Sequence, residues 1–335
     1  MADLAGPAAH RAEAGLPADS VRTGEWRLPF RVSVRLTLSV HGRGTSDPTF
    51  RVDTAGAVWR TSLTPAGPAT IRVLPEKPDS PDSADSSGCR VAAHAWGPGA
   101  GWLLGALPAA LGLYDDMSAF DPDAHPVLRD VARRHPGLRV GRTGRLMEAL
   151  VPAILEQKVV SLEAHRAWKI LLARYGSTPP GPAPRGMRVF PGPRTWRTIP
   201  SWDWHRAGVE GVRAQTIIRA AGVAASLERL LDPASAGQDA ARKLRTIAGI
   251  GPWTAAETLQ RAAGDPDAVS VGDYNLPKAV GWALAGRQQT DDAQMLELLE
   301  PYRGHRYRVT RLVELSGLRP PRRGPRMPVR DYRAF

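Results

Sequence analysis

Apolar residues in this chain follow two rhythms, every second position in the first third and every third or fourth position from Asp121 onward. The stretch "RVSVRLTLSV" (31–40) sets Val32, Val34, Leu36, Leu38 and Val40 on one face and predicts a strand half buried against a core. "TFRVDTAGAVWRTSL" (49–63) predicts two strands joined at a turn around Ala55-Gly56, and "ATIRVL" (69–74) and "CRVAAHAWG" (89–97) predict two more. "AGWLLGALPAALG" (100–112) reads as a helix interrupted by Pro108. Between these, the acidic, Pro/Ser-rich run "PEKPDSPDSADSSG" (75–88) is a surface loop.

Helical spacing then takes over. "GRLMEALVPAILEQ" (144–157) aligns Leu146, Leu150, Val151, Ile154 and Leu155. "SLEAHRAWKILLARYG" (161–176) does the same with Trp168, Leu171, Leu172 and Tyr175, and Gly176 closes it. A Pro/Gly-rich loop, "STPPGPAPRGMRVFPGP" (177–193), precedes further helices expected near 202–206, 214–225, 239–247, 253–263, 277–284 and 292–299, and in "HRYRVTRLVELSG" (305–317). The pattern predicts an α+β protein: a disordered leader over 1–26, a small antiparallel-sheet domain with helices over 27–112, an all-helical domain over 113–318 and a basic tail over 319–335.

Charge changes the picture. Among 335 residues, 45 Lys and Arg against 33 Asp and Glu give a net charge of +12, which points to an anionic partner, nucleic acid ahead of a membrane surface. Part of the excess sits in the tail, which alone confers only unspecific attraction. A single cysteine, Cys89, excludes an internal disulfide and any Cys-based zinc or iron–sulfur site. The N-terminus lacks the signature of a signal peptide, and no run reaches the roughly 18 apolar residues of a membrane span, so a cytoplasmic protein is expected. His125, His135, His165, His205 and His305 show no metal-ligand spacing, and the pairs Asp115-Asp116 and Asp291-Asp292 read as solvated loop or cap residues.

One short segment carries candidate chemistry. In "LRTIAGIGPWTA" (244–255), Leu244 and Ile247 end one helix, Gly249-Ile250-Gly251 turn the chain, and Pro252 opens the next helix, where a missing N–H costs nothing. The glycines leave N–H groups uncovered, a concavity suited to a phosphate oxygen. Such a turn is also common as plain helix–helix punctuation. Downstream, "VSVGDY" (269–274) sets Asp273 where it caps a helix, and a capping carboxylate also stays ionised there.

Together these features resemble the helix-hairpin-helix-GPD superfamily of DNA glycosylases, and within it the bacterial DNA-3-methyladenine glycosylase II family. The segment "LYDDMSAFDPDAHPVLRDVARRHPGLRVGRTGRLMEALVPAILEQKVVS" (113–161) is similar to the family's approach to its DNA-probing loop, and "EPYRGHRYRVTRL" (300–312) to its closing helix. The similarity spans about 28–318, weak in the sheet and strong from Leu113.

The resemblance implies a TBP-like sheet domain before the glycosylase domain and an enzyme that flips a damaged base out of duplex DNA, initiating base excision repair. It implies Asp273 as the catalytic carboxylate, which stabilises an oxocarbenium-like sugar or orients water, and Trp253, Tyr274 and Glu257 as base-pocket residues. Gly249, Gly251, Thr254, Gln157, Lys158 and Val159 would contact DNA. No cofactor is implied beyond a Na or K ion at the hairpin carbonyls of Ile247 and Ile250. Relatives that cleave strands carry a Lys where Trp253 stands, so a monofunctional enzyme is expected. One small enzyme can bind one lesion site without symmetry, so a monomer, cytoplasmic and associated with a bacterial nucleoid, is expected as well.

Three departures bear on specificity. Lys158 stands where members have an apolar wedge, leaving Lys158 or Val159 for that role. Glu257 and Arg311 stand near positions of expected aromatics. The preferred lesion therefore stays open among 3-methyladenine, 7-methylguanine and bulkier adducts. Glycosylases for other damage, and a lesion-sensing DNA-binding protein without turnover, remain the alternatives.

Overall fold

The computed structural model describes residues 20–78, 88–232 and 239–321. Six strands form one antiparallel sheet: β1 (Arg22–Leu28), β2 (Phe50–Val52), β3 (Val58–Thr64), β4 (Gly67–Val73), β5 (Lys77–Pro78) and β6 (Cys89–Trp96). Their order is β1-β6-β4-β3-β2, with β5 beside β6. Val58 sits opposite Val73 and Trp26 opposite Val91, so the alternating apolar residues of neighbouring strands share a face. That face packs on α1 (Val34–Leu38) and α2 (Ala100–Ala110), burying Val58, Ile71, Val91, Leu103 and Leu107. On the other face Trp59 stacks on Trp96 with ring centroids 5.6 Å apart, and Met187 from the Pro/Gly-rich loop covers them.

Three expectations for this region need correction. Residues 34–38 are helical, because Ser33 caps the segment by accepting the Leu36 N–H and the Glu76 carboxylate accepts the Val34 N–H. Burial of Val34, Thr37 and Leu38 follows the helical period that results. The sheet already begins at Arg22, inside the expected leader; 1–19 lie outside the described residues. Pro108 lies within the last turns of α2, where the helix runs on through it to Ala110.

The remaining helices are α3 (Pro126–Arg134), α4 (Leu146–Leu155), α5 (Ser161–Tyr175), α6 (Pro193–Thr198), α7 (Ser201–Ala207), α8 (Gly211–Gly222), α9 (Ala224–Glu228), α10 (Asp239–Arg245), α11 (Pro252–Ala262), α12 (Leu276–Ala285), α13 (Asp292–Leu299) and α14 (Arg306–Ser316). The pattern leaves α3 and α6 unassigned and merges α8 with the start of α9. One core joins α4 to α11 around Leu150, Ile154, Trp196 and Leu244. A second joins α3, α12, α13 and α14 around Leu128, Val280 and Val309. Asp115 is not solvated: it is fully buried in an ion pair with Arg308 of α14 and also accepts the Val140 N–H.

Polar ties join sheet to helices. Glu148 of α4 accepts the Ser62 hydroxyl at 2.7 Å and the Leu63 N–H at 2.8 Å, and the Trp168 indole donates to Asp47 at 3.1 Å. Burial drives the Glu148 carboxyl upward, opposed by Arg60 and Arg145. No helix among the described residues is long and apolar enough to cross a membrane.

Candidate active site

The hairpin forms as its residues dictate. Leu244 and Ile250 enter the core, Gly249 takes a φ of +98°, and Pro252 opens α11. A Cβ on Gly249 would lie 2.1 Å from Oγ1 of Thr216 on α8, so the turn needs glycine for both conformation and space. Gly251 precedes α11 in extended backbone, and no side chain caps the helix. The Arg219 guanidinium donates to the Ala248 carbonyl at 2.9 Å, and the Ile250 N–H donates to the Ile247 carbonyl at 3.0 Å. Arg219 and Thr216 stand about thirty residues before the hairpin, where no local pattern singles them out.

The loop between α4 and α5 meets this hairpin. Gln157 donates through Nε2 to the Gly249 carbonyl at 2.9 Å and to Oγ1 of Thr254 at 2.8 Å. Thr254 is 2% exposed, and its hydroxyl accepts that bond and ties α11 to the loop. Glu156 pairs with Arg43 at 3.1 Å. Burial pushes its carboxyl up, but Arg43, a hydrogen bond from His165 and Arg261 outweigh this and hold it at about 2. Between such anchors Lys158 stands exposed at φ +54°, the one non-glycine residue with positive φ among those described. Val159 beside it is half-buried.

Asp273 is held from two sides. Its Oδ1 accepts the N–H groups of Asn275 at 2.7 Å and Leu276 at 2.8 Å, at the start of α12. Its Oδ2 accepts the indole N–H of Trp253 at 3.2 Å. Trp253 sits in the first turn of α11, so the hairpin and the carboxylate expected to work together do meet. Tyr274 does not form an enclosed wall: it is 79% exposed, and Lys278 Nζ covers its ring at 3.8 Å from the centroid.

Glu257 lies one turn beyond Trp253, as expected, but its carboxylate is engaged. Oε1 accepts the Ser270 hydroxyl at 2.5 Å and Oε2 pairs with Arg261 at 2.7 Å. Arg261 also donates to the Val40 carbonyl at 2.9 Å, which Arg43 reaches at 3.0 Å. Arg311 pairs with Glu314. Nearby Tyr307 is buried, which raises its phenol; Glu257 adds to that, and Arg311 and Arg261 oppose it. Among the described residues no group of three or more His, Cys, Asp or Glu is placed to hold a metal. His125 instead caps α3 through Nδ1, and His305 packs beside Phe120.

No family model matches the chain. Proteins from two strains of Mycobacterium tuberculosis, each described as a probable bifunctional transcriptional activator/DNA repair enzyme AlkA, are 32% identical over 153 residues. That match covers 46% of this chain and 30% of each relative, so the chain aligns with less than a third of their length. Among solved structures, the 3-methyladenine DNA-glycosylase from Archaeoglobus fulgidus superposes with a TM-score of 0.69 at 19% identity, over 88% of this chain and 98% of that one. The Clostridium acetobutylicum 8-oxoguanine glycosylase/lyase, in complex with double-stranded DNA, gives 0.63 at 12% identity, over 90% and 98%. These neighbours share the α+β fold. The chain is thus similar in sequence over 153 residues to proteins described as AlkA, and it shares its overall fold with the Archaeoglobus fulgidus 3-methyladenine DNA-glycosylase.

Proposed function

We propose that this protein is a monofunctional DNA glycosylase that flips alkylated purines of the 3-methyladenine and 7-methylguanine type out of duplex DNA and excises them. The observation that carries this reading is the seat of Asp273, capped by α12 and touched by the hairpin's Trp253. The turn at Gly249 and the uncapped start of α11 would grip a backbone phosphate near the lesion. Lys158, at the exposed loop tip, would reach the duplex.

The chemistry follows from charge. An alkylated purine carries positive charge, which the Trp253 indole attracts by stacking and cation–π contact. As the glycosidic bond breaks, the base leaves with the bonding pair and the positive charge passes to the sugar, where the Asp273 carboxylate stabilises it. Water then adds to the anomeric carbon and loses a proton, leaving an abasic site with the strand intact. α11 offers Trp253 where a Schiff base would need an amine, which supports base release without strand cleavage.

The hairpin carbonyls of Ile247 and Ile250 are hard oxygen donors suited to a sodium or potassium ion. The Ile250 N–H uses only one of the two lone pairs on the Ile247 carbonyl, so the pair fits such an ion. A bound ion would add positive charge beside the phosphate. We propose further that the enzyme acts as a monomer in the nucleoid.

The test is release of free bases from methylated duplex DNA, followed by chromatography, for wild type and Asp273→Asn. Wild type is expected to release methylpurines, and Asp273→Asn to bind DNA but lose at least about a hundredfold in rate. No release from alkylated, deaminated or oxidised substrates refutes the enzyme reading in favour of a lesion-sensing protein. Strand nicking without heat or alkali refutes monofunctionality. Glu257 and Arg311, in place of aromatics, favour a second reading within the same class: release of oxidised or bulky bases in preference to methylpurines.

A further inference from the structure

The segment that carries Asp273 is suspended rather than packed. The Asp273 N–H donates to the Ser270 carbonyl at 3.2 Å, and the Gly272 N–H reaches the Asp292 carboxylate at 3.0 Å. Gly272 itself has a φ of +92°. What fixes the segment to α11 is Ser270, which is 4% exposed. Its hydroxyl accepts from Gln260 Nε2 at 2.9 Å and donates to Glu257 Oε1 at 2.5 Å, and Gln260 also donates to the Ala268 carbonyl at 2.8 Å. The other Glu257 oxygen is fixed by Arg261, itself tied to the Val40 carbonyl.

We propose that Glu257 is a positioning residue that acts through Ser270 to set the Asp273 carboxylate against Trp253, rather than a reader of the flipped base. The inference rests on Asp273 being the catalytic group. Glu257 and Trp253 stand four residues apart on one face of α11, and Asp273 lies three residues beyond Ser270. One helix thus holds both ends of a short bridge: its first turn touches the carboxylate directly, and its second turn holds the segment that supplies it. Both Glu257 oxygens are held by partners within the fold, Ser270 on one and Arg261 on the other, which directs the carboxylate toward the segment that leads to Asp273.

The experiment compares single-turnover base release, DNA affinity and amide hydrogen exchange in full-length variants. Ser270→Ala leaves the Glu257–Arg261 pair in place and cuts the link. It is expected to slow release about tenfold to a hundredfold, equally for every lesion, because a misplaced catalytic group loses rate steeply. Affinity for duplex carrying an abasic analogue should stay within about twofold, and amides 272–276 should exchange faster. Glu257→Gln keeps an acceptor for Ser270 and should retain most of the rate, while Glu257→Met should fall with Ser270→Ala; Glu257→Met also serves if Ser270→Ala does not fold.

Two results overturn the proposal. One is a full rate and unchanged exchange in Ser270→Ala and Glu257→Met while Asp273→Asn is inactive. The other is a Glu257→Gln variant whose preference between two lesions shifts by more than about tenfold, since that marks Glu257 as a base reader. If wild type releases no base at all, the glycosylase reading falls by itself, and exchange at 272–276 still decides whether Ser270 and Glu257 hold the segment.

Discussion

Gly249→Ala places a methyl group where the hairpin has no room. Its Cβ would lie 2.1 Å from Oγ1, 3.0 Å from Cγ2 and 3.1 Å from Cβ of Thr216. Thr216 is fully buried and its hydroxyl donates to the Val212 carbonyl at 2.9 Å, so rotating it away forfeits that bond. Alanine held in left-handed backbone costs about 1–2 kcal/mol. Overpacking against a fixed side chain adds about 1–3 kcal/mol. A loss of about 2–5 kcal/mol is therefore expected if the turn keeps its shape, read as a fall in the urea midpoint.

If the turn instead swings outward, Gln157 loses the Gly249 carbonyl, and the loss appears in DNA affinity more than in stability. A second variant separates the two contributions. Thr216→Ala removes Oγ1 and Cγ2 but leaves its own Cβ, so the double variant should recover the crowding share and keep the backbone share. Coupling of about 1–2 kcal/mol between the two substitutions is expected. Gly249→Ala with an unchanged urea midpoint and unchanged affinity, or with effects that simply add, would refute the reasoning.

Lys158→Ala should weaken binding to any duplex and reduce the slope of log affinity against log salt by about 0.9, as for one lost phosphate contact; an unchanged slope rules that contact out. Glu156 gives a pH signature. Its folded value of about 2 lies below the ordinary 4.5, so it contributes about 3 kcal/mol above pH 5, lost as pH falls from there toward 2. In urea titrations the gap between wild type and Glu156→Gln should shrink over that window; a constant gap counts against the pairing. Arg308→Met strands the Asp115 carboxylate in the interior and should cost about 3–5 kcal/mol, with Asp115→Leu restoring much of it. Additive losses in the double variant would show that the two do not interact.

The hairpin was legible because its signal is local: Gly249, Gly251 and Pro252 each answer a backbone need within four residues of chain. β3, β4 and β6 were legible through their alternation. β1 was not, because two of its inward positions are Arg22 and Gly24, and Gly24 leaves the space over which the Trp26 ring lies. Helix α1 was misread because the same apolar residues satisfy a period of two and a helical turn, and remote Glu76 takes part in the decision. At the candidate site, motif and spacing single out Trp253 and Asp273, and the fold brings the two into contact. The occupation of Glu257, Thr254 and Asp115 was not legible. Arg308 lies 193 residues from Asp115 and Gln157 lies 97 from Thr254, and although Arg261 is an i,i+4 neighbour of Glu257, the second partner of Glu257, Ser270, comes from beyond the helix.

Lys158 carries a kinetic consequence. A lysine held at φ +54° between Gln157, bound to the hairpin, and Val160, at the head of α5, already has its bend before any duplex arrives. The order of that tip is supplied by folding, so if Lys158 reaches a duplex as proposed, the encounter need not wait for the loop to organise, and the effect falls on the association rate. Lys158→Gly would relax the backbone but release the tip. On the proposed reading stability would rise slightly while association with DNA slowed, an exchange of folding energy for a shape held before the encounter.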